Sequence, residues 1–119
     1  MIGNSAITSN VAEGGFGGAL NALVTVTDGN SYGGGLYAAG GSLSVRNGIV
    51  TGNAALGGGG LRLRRGISVP GNEGDGTGGG IYINPAASVG LDSLTVRNTK
   101  GNTASTSARN IFGDYDRIV

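Results

Sequence analysis

Short alternations of apolar and polar residues run along the chain. Val24-x-Val26, Leu43-x-Val45, Leu61-x-Leu63, Ile67-x-Val69, Ile81-x-Ile83 and Leu94-x-Val96 each place two aliphatic side chains on one face of an extended segment. No 3.6-residue apolar period lasts two turns anywhere. The glycines between these segments further disfavour helix, at about 0.5–1 kcal/mol for each interior position. The pattern therefore predicts many short strands and no helices.

Longer motifs return in a fixed order. Triple glycines open GGGLY at 33–37, GGGLR at 58–62 and GGGIY at 78–82, so their starts are 25 and 20 residues apart. SLSVRN at 42–47 returns as SLTVRN at 93–98, and Gly52-Asn53-Ala54-Ala55 returns as Gly101-Asn102-Thr103-Ala104. Two or three short strands per 20–25 residues, with glycine and asparagine at the corners, predict a stacked repeat in which equivalent residues lie above one another at the ~4.8 Å strand spacing. Asn47 and Asn98 are then candidates for an amide ladder. The second copy carries an additional stretch, NPAASVGLD, which reads as a loop opened by Asn84-Pro85. Asp28-Gly29, Asn47-Gly48 and Asp75-Gly76 are also hairpin dipeptides, so a small antiparallel sandwich is the competing fold. It gives no reason for repeated motifs in fixed order.

Composition narrows the choice. Glycine supplies 27 of 119 residues, yet two prolines and the lack of a three-residue period exclude collagen. A net charge of +1 argues against disorder and against nucleic acid as a partner. Without cysteine or histidine there is no disulfide, no thiolate or imidazole metal site and no Ser-His-Asp triad. No apolar run is long enough for a transmembrane helix. MIGNSA lacks the basic and apolar regions of a signal peptide, and the chain reads as one domain, 1–119, cut from a longer array, with 102–119 as a terminal coil and tail.

GGGLY, SLSVRN, GNAALGGGG, GGGIY and SLTVRN resemble the right-handed parallel β-helix repeats of bacterial surface and autotransporter-like proteins, including the polymorphic outer-membrane protein group. NTASTSARNIFGD at 102–114 resembles the ending of such arrays. The resemblance implies an all-β, right-handed parallel β-helix of about five irregular coils. It also implies an extracellular or cell-surface location and a non-catalytic structural or adhesive role. Parallel crossovers are right-handed as a rule.

Few residues suggest chemistry. If Leu36, Leu61 and Ile81 point inward, then Tyr37, Arg62 and Tyr82 form an outward ladder, extended by Phe112 above and Asn21 below. With Arg64 beside it, that ladder is a candidate surface for a polysaccharide or host glycan, or equally a cation–π stack that holds strands together. A lyase-like β-helix that binds or cleaves polysaccharide is the alternative function. It would need a carboxylate-lined groove walled by 84–92, and no spacing among Glu13, Asp28, Glu73, Asp75, Asp92, Asp114 and Asp116 forces two carboxylates onto one groove. Glu73 and Asp75 in GNEGDGTGGG are weak candidates for calcium, since the corresponding nonapeptide sites need tandem copies. Open strand edges at both ends favour end-to-end self-association.

Overall fold

A computed structural model describes residues 1–15, 26–27, 29–58, 61–64, 67–72 and 74–119. Short strands dominate it. A first pass of the chain carries β1 (Ile2–Gly3), β2 (Ala6–Thr8), β3 (Val11–Glu13) and β4 (Val26–Thr27). The second carries β5 (Ser31–Tyr32), β6 (Leu36–Ala38), β7 (Gly41–Arg46), β8 (Ile49–Thr51) and β9 (Ala54–Leu56), then β10 (Leu61–Arg64) and β11 (Ile67–Asn72). In the third come β12 (Gly76–Thr77), β13 (Ile81–Ile83), β14 (Ala87–Asp92), the helix α1 (Ser93–Asn98), β15 (Thr99–Lys100) and β16 (Thr103–Ala104). The last holds β17 (Ile111–Phe112) and β18 (Asp116–Ile118).

Strands from successive passes lie side by side. The sheets run β1-β7-β14-β18, β2-β8-β15, β3-β9-β16, β6-β13-β17 and β5-β12, and every pairing in them is parallel. Stacked partners are 43 residues apart at Asn10 and Asn53, 45 at Asn30 and Asp75, and 49 at Asn53 and Asn102. Each pass is therefore about twice the 20–25 residues expected from the glycine spacing, and the deepest sheet has four levels rather than five coils. The middle glycine run misled the spacing. Leu61–Arg64 pairs antiparallel with Ile67–Asn72, a local hairpin, while Gly71 and Asn72 join β4 in parallel.

The two true glycine corners superimpose. Gly33 and Gly78 sit at φ 65 and 68, a left-handed turn that glycine adopts without a Cβ penalty. A Cβ on Gly79 would lie 2.0 Å from the Thr103 carbonyl oxygen, so the corner also needs glycine for close approach. The chain then enters Leu36-Tyr37-Ala38 and Ile81-Tyr82-Ile83, paired residue for residue. The apolar set between the sheets is Ala38, Val45, Val50, Ile81, Ile83, Val89 and Leu91, all buried, with Leu36 and Leu43 packed against it. Burial of each valine, leucine or isoleucine of this set stabilises by about 1.5–3 kcal/mol.

The near-identical hexapeptides do not share a structure. SLSVRN lies in β7 and its continuation, whereas SLTVRN forms α1. The place beside β7 is taken by Ala87–Asp92, the stretch expected to be a loop, with Leu43 opposite Val89 and Val45 opposite Leu91. SLTVRN is thereby displaced from the sheet. Asp92 caps the helix by accepting a hydrogen bond from the Thr95 N–H at 2.8 Å, where Gly41 precedes the other copy. Thr95 is fully buried, and its Oγ1 accepts from the Gly48 N–H at 3.0 Å.

Candidate functional site

The outward side of the β6-β13-β17 sheet carries aromatic rings. Parallel pairing aligns Tyr37, Tyr82 and Phe112 across three levels, as the alternation around Leu36 and Ile81 predicts. Ring centroids are 5.3 Å apart for Tyr37 and Tyr82 and 4.9 Å for Tyr82 and Phe112, the latter planes only 10° from parallel. Tyr32, absent from the predicted ladder, joins from the neighbouring sheet, 4.8 Å from Tyr82. Nothing in the strand alternation marks Tyr32, because it reaches the row across a corner.

Arg62 does not stand between the two tyrosines. Tyr37 and Tyr82 are direct cross-strand partners, and Arg62 is opposite Val69 in the local hairpin. The side chains of Arg62 and Arg64 lie outside the described residues, as do Glu73 and Asn21. The expected Tyr–Arg–Tyr stack is replaced by an all-aromatic one. Tyr82 and Phe112 turn their faces toward each other, and each aromatic pair contributes about 0.5–1.5 kcal/mol beyond area burial.

One depression borders this row at Phe112, and a second adjoins it through Ala87 and Asp114. The first, of about 310 Å³, is lined by Ile83, Asn84, Pro85, Ala87, Phe112, Gly113 and Asp114. The other, about 210 Å³, is bounded by Ala87, Ser88, Val89, Asp114, Tyr115 and Asp116. The Asn84-Pro85 turn walls the first, as a groove bounded by 84–92 requires, and Asp114 reaches both. Asp116 belongs to β18 beside β14, not to a tail beyond the last strand. Arg117 hydrogen-bonds Ser93 Oγ at 3.1 Å.

Other polar groups of interest are structural. Asp75 accepts a hydrogen bond from the Thr106 hydroxyl at 3.3 Å and donates its own N–H to Asn30 Oδ1 at 2.7 Å. Among the described residues no three carboxylates gather as a cation site. Asp92, 9% exposed, is held below the usual carboxylate range. The Thr95 side chain contributes most, followed by the Thr95 and Asn47 N–H groups; burial opposes them and the Arg46 charge assists.

The amide ladder uses other residues than expected. Asn47 Nδ2 donates to Asn4 Oδ1, and Asn98 lies in α1. The continuous ladder is Asn10, Asn53, Asn102 and Asn110. Each of the first three donates both its N–H and its Nδ2 to the Oδ1 of the next, at 2.9–3.3 Å. The repeated GNAA and GNTA hold Asn53 and Asn102, and TSNVAEGG at 8–15 matches TGNAALGG at 51–58 around Asn10; Asn110 has no matching motif around it. Comparisons with protein-family models, curated proteins and solved structures return no match to this chain.

Proposed function

We propose that this chain is a segment of a right-handed parallel β-helix that serves as a non-catalytic structural or adhesive element of an exported bacterial surface protein. The observation that carries the reading is the stacking of like on like: asparagine on asparagine, aromatic on aromatic, and glycine corner on glycine corner, across passes 43–49 residues apart. Such a ladder is self-supporting along its axis, which suits a stiff surface rod. Displayed on a carrier cell, the segment is expected to raise adherence to glycan-coated surfaces above that of the carrier alone. Adherence equal to the bare carrier removes the adhesive role.

A second reading is favoured by one feature, the 310 Å³ depression where Phe112 meets Asn84 and Asp114. It suits a polysaccharide-binding or polysaccharide-cleaving β-helix, with an aromatic ring for the sugar face and polar groups for hydroxyls. Titration with acidic and neutral polysaccharides distinguishes the readings. Binding lost in Phe112→Ala, with release of new chain ends, supports cleavage; binding without release supports a lectin-like surface.

A further inference from the structure

Gly35, Gly80 and Asn110 occupy one position on three successive levels, each just before the aligned Leu36, Ile81 and Ile111. At the lower two levels the ladder leaves no room for a side chain. A Cβ on Gly35 would lie 2.9 Å from Asn53 Nδ2, and one on Gly80 2.7 Å from Asn102 Nδ2. At the third level the β3-β9-β16 sheet has already ended, so no ladder residue arrives from that side. Asn110 fills the place from across the corner. Its Oδ1 accepts from the Asn102 N–H at 3.3 Å and from Asn102 Nδ2 at 3.1 Å, the same two bonds made at each level below.

The ladder therefore has a direction. Donors point toward the C-terminal end, where Asn110 receives them. At the other end, exposed Asn10 gives both donors to Asn53, and its Oδ1 accepts no hydrogen bond among the described residues. The geometry points to Asn110 as a plug that closes the C-terminal end face against a second copy of this chain. That copy's N-terminal end carries the matching acceptor, Asn10 Oδ1. With the plug withdrawn, Asn102 offers its N–H and Nδ2 to the incoming Asn10, and β15 and β16 offer open edges to the incoming β2 and β3. The pairing repeats the parallel register that β8 and β9 already make with β2 and β3. In the four-stranded sheet β18 holds the corresponding level, so the incoming two-residue β1 gives way. Contact between two N-terminal ends sets acceptor against acceptor and makes no such bond. The inference is independent of the proposed surface role.

Light scattering on the whole chain over a dilution series tests it. Wild type is expected as the 11.6 kDa monomer throughout. Asn110→Gly, which installs the residue found at the two lower levels, should reach twice that mass or more at the concentrated end. Asn110→Asp keeps an acceptor for Asn102 and should stay monomeric. Adding Asn10→Ala to Asn110→Gly should restore the monomer. Wild type that already associates, an Asn110→Gly chain that stays monomeric, or association that survives Asn10→Ala each overturns the proposal. So does an Asn110→Gly chain that loses its β circular dichroism as a monomer, since the side chain would then hold the last pass rather than guard the end face.

Discussion

Asn53 shows what a single side chain does here. It is 1% exposed; its Oδ1 takes the Asn10 N–H and Nδ2, and its Nδ2 donates to the Ile7 carbonyl and to Asn102 Oδ1. Asn53→Ala leaves these groups with no replacement partner. The expected loss is about 2–4 kcal/mol in urea unfolding, since buried groups stripped of a partner cost about 1–3 kcal/mol each. Exposed Asn10→Ala should cost about 1 kcal/mol, because water replaces the lost partner. Equal losses would show that the ladder contributes through something other than buried hydrogen bonds. Asp92 gives a pH signature. Its folded value lies below the ordinary 3.8, so its contribution is complete above that value and disappears as pH falls through the lower folded value. Melts of wild type and Asp92→Asn should therefore differ most near neutral pH and converge in acid. A gap that widens in acid would contradict the sign.

Among the elements, the aromatic row and the helix are the most informative. Tyr82 touches Tyr32, Tyr37 and Phe112, so it couples two sheets and three levels. A double-mutant cycle of Tyr82→Ala and Phe112→Ala should return a coupling of about 1 kcal/mol, the worth of a stacked pair. A coupling near zero would mean the rings merely share a surface. Much of this level was legible in the sequence. Alternation placed Tyr37 and Tyr82 on one outward face, and the glycine corners at 33 and 78 superimpose as their motifs suggest. The helix was not legible. SLSVRN and SLTVRN differ at Ser44 against Thr95, and local propensity treats them alike. Their fates diverge because Ala87–Asp92 fills the sheet position first and leaves Asp92 at the N-cap of Ser93–Asn98.

For the molecule as a whole, four levels at the ~4.8 Å strand spacing span only about 15 Å along the stacking direction, so the long dimension lies within the passes. The Cα radius of gyration is 16.6 Å, with extents of 55 × 26 × 17 Å. A compact domain of this length would have a radius of about 13–14 Å. Small-angle X-ray scattering of the monomer should return a value close to that of the structure. A value near the compact figure would contradict the elongated shape. Every edge at the two ends is a potential pairing surface, and the direction of the asparagine ladder makes the ends chemically unlike.

The sequence by itself determined the local vocabulary. Short alternating strands, glycine corners, asparagines where the chain turns and the exclusion of cysteine and histidine chemistry all come from residue type and spacing. Tertiary structure alone decided which strands become neighbours. A pass of 43–49 residues and the ladder from Asn10 through Asn53 to Asn102 depend on partners far away in the chain. Periodicity reports which face a side chain takes. It carries no information about how many residues separate two strands that meet, because that distance is set by what fills the space between them.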